Sequence, residues 1–275
     1  MQLLVGPNGV KGKGQSLWPV LLGNALSDST VGEFRQSLID LGTFHADQRL
    51  WPRLLGQALN AEFLRQQDSS ESYAKDVFID RDRYKIKGQR REEHRVAQLY
   101  RSALAADGCL FLDSDPIWLL GFQWPTQGGV SEKKRQADLV GMTARGGLVV
   151  FEAKVEKGTP PLHALCEGLD YLACLLRPSN FSKIETGFHT WRQKPGKVIP
   201  EGFKTTRPLR SMKPKLVILA PEKYYTELYA RSIRGKEWPL LVEAGVSVIP
   251  SIDLHFAATD FENTKLWEPR PHKFN

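Results

Sequence analysis

Asp138, Glu152 and Lys154 are the residues of this chain whose types and spacing could do chemistry. They lie within residues 136–154, QADLVGMTARGGLVVFEAK, where apolar runs at 137–142 and 148–155 flank Thr143-Ala144-Arg145-Gly146-Gly147. Glycine tolerates positive φ, so this composition predicts a hairpin. If its loop is a type I turn closed by a left-handed Gly, Arg145 is the centre and residues equidistant from it pair. Asp138 and Glu152 are equidistant, and period-2 alternation adds Lys154 to the face of Glu152. Opposed Cβ atoms sit about 4.5–5.5 Å apart. At an effective dielectric near 20, two carboxylates at that range repel by about 3 kcal/mol. A divalent cation offsets the repulsion: oxygen-rich sites suit Mg²⁺ or Mn²⁺, which activates water and stabilises charge on a phosphate. Lys154 would then orient or deprotonate that water, or stabilise the transition state.

An E-x-K inside a strand is more often a solvated polar stripe. Here Leu148, Val149, Val150, Phe151, Ala153 and Val155 make both faces apolar, as in a buried central strand. Charges are rarely buried without partners. The spacing D-x13-E-x-K resembles the signature of the PD-(D/E)xK nuclease superfamily, with Ala137 where the family name has Pro. That resemblance implies a metal held by Asp138, Glu152 and the Ala153 carbonyl, and a Glu near the start of the first core helix. Glu93, with Val96, Leu99 and Tyr100 following at the expected offsets, fits that position better than Glu92. Acidic residues also favour a first helical turn for purely electrostatic reasons.

Which elements must position these groups? Residues 91–106 have helical spacing at Val96, Leu99, Tyr100, Ala103 and Leu104, with Asp107-Gly108 as the stop. A strand at 109–112, or a longer one at 117–124, precedes the hairpin. Residues 162–176 read as a helix with Leu165, Leu169, Leu172 and Leu176 inward. Its His163, Glu167, Asp170 and Tyr171 resemble the polar face that follows E-x-K in the family, with Glu167 where Gln is usual in one subgroup. Residues 215–220, KLVILA, read as a buried strand; a helix at 222–233 and a strand at 246–249 follow.

Residues 180–215 are punctuated by Pro and Gly and carry nine Lys or Arg against Glu185 and Glu201, interleaved with Phe188, Trp191 and Phe203. A long basic loop of this kind is expected to grip nucleic acid, its cations on phosphates and its aromatics on unpaired bases. The residues concerned are Trp191, Arg192, Lys194, Lys197, Lys204, Arg207 and Arg210, joined by Lys133, Lys134 and Arg135 just before Asp138.

The rest of the chain sets bounds. Its 275 residues are 41% hydrophobic and 25% charged, ordinary for a globular protein, with a net charge of +7 that favours polyanions. Cys109, Cys166 and Cys174 lack C-x-x-C spacing, which supports neither a disulfide framework nor a zinc site and fits a reducing cytoplasm. No apolar run is long enough to span a membrane. The Gly- and Lys-rich first fifteen residues fail the phosphate-loop pattern, because Gly12-Lys13 is followed by Gly14. Residues 27–67 carry helical patterning, and residues 28–76 are net acidic, suiting a helical layer that packs on the core or meets a protein partner or second copy.

The expected architecture is α/β: a restriction-endonuclease-like αβββαβ core with a mixed central sheet, plus an N-terminal helical layer. It divides into an arm and helical subdomain at 1–76, the core with its basic insertion at 77–256, and a tail at 257–275. The expected activity is that of a Mg²⁺- or Mn²⁺-dependent endonuclease hydrolysing DNA phosphodiester bonds. A catalytically inactive nucleic-acid-binding or assembly module on the same core, or an RNA-directed nuclease, is the alternative.

Overall fold

The computed structural model describes residues 59, 60, 63, 64, 67 and 68, and residues 91–126, 136–155, 161–225 and 249–269. The N-terminal arm, most of the two expected N-terminal helices, Lys133, Lys134, Arg135 and residues 246–248 lie outside them. Of the second N-terminal helix, Leu59, Asn60, Phe63, Leu64 and Gln67 are helical, and Leu59 and Phe63 are buried in the core.

The chain is α/β, built on a mixed sheet of seven strands. Helix α1 (Arg91–Ala105) buries Val96, Leu99, Tyr100 and Ala103. It ends as the pattern predicts, with Asp107 and Gly108 at positive φ and the Gly108 N–H reaching back to the Ala103 carbonyl at 2.7 Å. Strands β1 (Cys109–Leu112) and β2 (Asp115–Pro125) both form, joined by Asp113-Ser114. Both turn residues have positive φ, the mirror-image turn whose twist suits a two-residue hairpin. Strands β3 (Gln136–Thr143) and β4 (Leu148–Ala153) complete an antiparallel meander. Four strands therefore precede the crossover, where three were expected.

The crossover is a pair of helices, α2 (Pro161–Leu176) and α3 (Pro178–Arg192). It leads to β5 (Lys215–Ala220), parallel to β4, and then to β6 (Asp253–Ala258), parallel to β5. A last short strand, β7 (Lys265–Leu266), pairs in parallel with β1, giving the order β6-β5-β4-β3-β2-β1-β7. The inner strands β4 and β5 are apolar on both faces because helices cover both. One face buries Val140, Leu148, Val150, Leu216 and Ile218 against α2 and α3, and the other buries Leu139, Val149, Phe151, Val217 and Leu219 against α1. An isolated bridge between Ala258 and Trp267 ties the chain just beyond one edge of the sheet to the other edge, with N···O distances of 2.7 and 3.2 Å.

A strand parallel to β5 that was not expected lies at Asp253–Ala258; of the strand expected at 246–249 only Ile249 is described, and it is outside any strand. Two expectations are corrected here. Residues 257–269 are not a tail: they finish β6, supply β7 and bury Phe261 and Leu266 in the core. The interval 180–215 is not one long loop, because α3 occupies its first part. Phe181, Ile184, Phe188 and Trp191 recur at helical spacing along α3 and all turn inward.

Candidate metal and phosphate site

The β3–β4 hairpin has the anticipated geometry. Leu139 pairs with Phe151, Val140 with Val150, Gly141 with Val149 and Met142 with Leu148, all equidistant from Arg145. The Thr143 N–H donates to the Gly147 carbonyl at 2.9 Å, and the Gly146 N–H to the Thr143 carbonyl at 2.9 Å, closing the three-residue loop. Gly146 sits at φ +89°, and an added Cβ would strike the Arg207 carbonyl oxygen, so only glycine fits there.

At the opposite end of the hairpin the ladder stops and side chains take over. The Asp138 Oδ2 accepts the Ala153 N–H at 2.8 Å, while the Lys154 N–H donates to the Leu219 carbonyl of β5 at 2.7 Å. Ala153 thus contributes its N–H to Asp138, a bond that does not occupy its carbonyl, the group expected to serve a metal. The Lys154 Nζ donates to the Glu152 Oε1 at 2.5 Å and to the Glu167 Oε2 of α2 at 3.0 Å. Glu152 and Lys154 are buried, Glu167 half-buried, and the Glu152 Oε2 is buried without a hydrogen-bond partner.

Helix α2 lies close enough to make this contact because residue 168 is glycine. A Cβ there would come within 2.6 Å of the Leu216 Cδ1 and 3.4 Å of the Glu152 Cβ. The neighbouring Glu167 is thereby carried to Lys154. The resemblance singled out Glu167 only as a departure from Gln, and the sequence alone held no sign of this ion pair.

The electrostatics follow from an excess of acid in a buried place. Burial pushes the Asp138 carboxyl up to about 7, with Lys154 opposing and Glu92 and Glu167 adding to the rise. Burial likewise holds the Glu152 carboxyl well above its ordinary range, against the pull of Lys154. Burial alone would strip the proton from Lys154, but Glu152, Glu167, Glu92 and Asp138 together outweigh it and keep the ammonium charged. Among the described residues, one cation, Lys154, is set against four acids. At neutral pH the cluster must hold an extra proton or attract a second cation.

Of the two acids in the first turn of α1, Glu92 is the one that bears electrostatically on this cluster. Its charge is among the leading influences on both Asp138 and Lys154, and Glu93 is not among them. Helical rotation of about 100° per residue does not separate the two, since Glu92 falls about 20° from Leu99 and Glu93 about 20° from Tyr100, both buried.

Among the described residues no group of three or more His, Cys, Asp and Glu side chains forms a ready-made metal cluster. Mg²⁺ does not require one, because it keeps several waters and is commonly held by one or two carboxylates plus substrate phosphate. Asp138 and Glu152, with the unpartnered Glu152 Oε2, fit such a donor set.

The expected nucleic-acid residues divide differently. Trp191, Phe188 and Phe203 are not stacking platforms: they are buried around Trp118, with ring centroids 5.4, 5.8 and 5.6 Å from it. The strap at residues 193–214 wraps the Arg145 turn, with the Thr206 Oγ1 donating to the Ala144 carbonyl at 2.8 Å and the Leu209 N–H to the Gly146 carbonyl at 2.9 Å. Arg192 donates to the Thr206 and Lys204 carbonyls, and Arg210 to the Leu176 carbonyl at 2.7 Å. Lys204 pairs with Glu201, and Lys197 lies over the Trp191 ring at 5.9 Å. Lys194 and Arg207 are exposed. All of this is at the turn end of the hairpin, roughly 20 Å along β4 from the acids.

Among the described residues no helix is long and apolar enough to cross a membrane. No family model, curated protein or solved structure matches the chain, so what it does has to be inferred from these side chains.

Proposed function

We propose that this chain is a divalent-metal-dependent endonuclease that hydrolyses DNA phosphodiester bonds on a restriction-endonuclease-like core. The observation that carries the proposal is the convergence of Asp138, Glu152 and Lys154 at the end of one hairpin, with a buried carboxylate oxygen left unpartnered. Water-soluble proteins seldom bury acids in such excess for stability alone, because desolvation is costly. The order helix, antiparallel strands, helical crossover and parallel strand supports this reading, with four strands before the crossover where three were expected.

Asp138 and Glu152 would hold Mg²⁺ or Mn²⁺, with Glu92 adding negative charge nearby. The bound ion would supply an acidified water and neutralise charge on the scissile phosphate. Lys154, held charged by its neighbours, acts as a cation that orients the nucleophile and stabilises the phosphorane-like charge, not as the base that deprotonates water. Burial of Glu152 and Lys154 strengthens each of these interactions. Lys194 and Arg207 would meet phosphates at a distance, since roughly 20 Å corresponds to about six phosphates per strand.

The test is incubation of the purified protein with plasmid DNA in Mn²⁺, Mg²⁺ or EDTA. Metal-dependent nicking or linearisation that Asp138→Ala and Lys154→Ala abolish supports the assignment, and undiminished cutting by both variants removes it. A second reading has its own observation: Lys154 already bridges Glu152 and Glu167, as in a purely structural ion cluster. Salt-sensitive binding of DNA without turnover in any metal would favour that inactive binding or assembly module. Parallel incubation with RNA separates the two polymers.

A further inference from the structure

We propose that Glu167 is a positioning residue that draws the Lys154 ammonium off Glu152 so that Glu152 can accept a divalent cation. The inference rests on the metal-site reading above and adds a component to it. Lys154 has two acceptors on different elements, Glu152 of β4 at 2.5 Å and Glu167 of α2 at 3.0 Å. An ammonium bound only to Glu152 would compete with any cation for the same carboxylate. A second carboxylate on a neighbouring helix gives the ammonium somewhere to remain when the competition is lost. The Glu152 Oε2 is already clear of Lys154 and without a hydrogen-bond partner.

Two features place Glu167 for this task. Gly168 lets α2 approach β4 closely, and Glu167 is half-buried, so its carboxylate keeps contact with water while facing Lys154. A residue meant only to tie helix to strand could do so from a fully buried position. Groups that orient metal ligands from behind typically change affinity by 10- to 100-fold when removed.

Mn²⁺ binding is measured without DNA, by calorimetry and by the metal-induced shift of the melting temperature. Wild type is expected to bind, with Glu167→Gln and Glu167→Asp each weakening Mn²⁺ by about tenfold or more. The aspartate keeps the charge but withdraws it from Lys154, so it separates contact from overall field. In a Lys154→Met background, Glu167→Gln should change Mn²⁺ affinity little further, because the competitor is gone. Weakening by Glu167→Gln but not by Glu167→Asp, or an equal loss in the Lys154→Met background, would overturn the proposal and make Glu167 a direct electrostatic contributor. Altered melting temperature with unaltered Mn²⁺ affinity would overturn it in favour of a helix tie. If wild type binds no divalent ion, the metal-site reading itself is lost, and this inference with it; a wild type that binds while both variants match it removes the inference alone.

Discussion

At one end of the β3–β4 hairpin, Asp138, Glu152 and Lys154 are packed beneath α2. At the other end, Arg145 and Arg207 are exposed above a turn stitched to the strap by backbone hydrogen bonds. The same register builds both ends, yet the charges are treated in opposite ways. Where charge is buried, Lys154 is held by side chains of β4 and α2, and Asp138 by the Ala153 N–H. Where charges stand in solvent, the backbone and glycine do the positioning, and the side chains are replaceable. Chemistry is therefore expected at the buried end and grip at the exposed one.

The sharpest way to break this comparison is to neutralise one end at a time. Asp138→Asn should lower metal-dependent cleavage at least a hundredfold, as loss of a preorganised charged group commonly does, with little change in DNA affinity. Substitution of the exposed Arg207 by Ser should do the reverse. If Arg207→Ser abolished cleavage at saturating DNA, the division of labour would be wrong.

Trp191 tests the exposed end from beneath. Trp191→Ala should destabilise the protein by about 3–5 kcal/mol, as expected for a large buried aromatic, measured by denaturant unfolding. An unchanged stability with weakened single-strand binding would return Trp191 to the surface role that the sequence suggested.

A pH titration sharpens the buried end. Asp138 is raised from 3.8 to about 7 in the fold, so the folded protein binds a proton that the unfolded chain releases near pH 4. Metal-free stability should accordingly fall as pH rises between about 4 and about 7. Mn²⁺ should flatten that slope by replacing the proton, and Asp138→Asn should remove the contribution of this group. A metal-free stability that rises across the same interval in wild type and not in the variant would contradict the raised Asp138 carboxyl.

Gly146→Ala acts on the turn, with an expected cost of about 1–3 kcal/mol from its positive φ, read as a lowered melting temperature. The smallest effect is again at Arg207. If it meets one phosphate, Arg207→Ser should reduce the slope of log affinity against log salt by about 0.9.

How much of this was visible beforehand differs by element. The hairpin was legible because apolar runs, a Gly-rich reversal and an acid on each arm agree on one register. The α1 and α2 helices were legible from their spacing. Spacing could not choose between Glu92 and Glu93, because both lie beside buried positions of α1. In α3, the density of Lys, Arg, Pro and Gly around it masks the spacing of Phe181, Ile184, Phe188 and Trp191, so that core aromatics in a basic stretch read as a binding surface. The Glu167 to Lys154 ion pair depends on how closely two elements pack, which no local pattern encodes. The β7 strand was missed because Lys265–Leu266 is too short to carry a period.

The bridge from Ala258 to Trp267 has a consequence for how the molecule comes together. Because β7 covers the outer side of β1, a strand near the start of the described core waits for a partner encoded near residue 265. During synthesis the open backbone groups of β1 stay available to other nascent chains until that late segment arrives. Completion of the sheet is thus a long-range closing step, of the kind that makes folding slow relative to local helix formation.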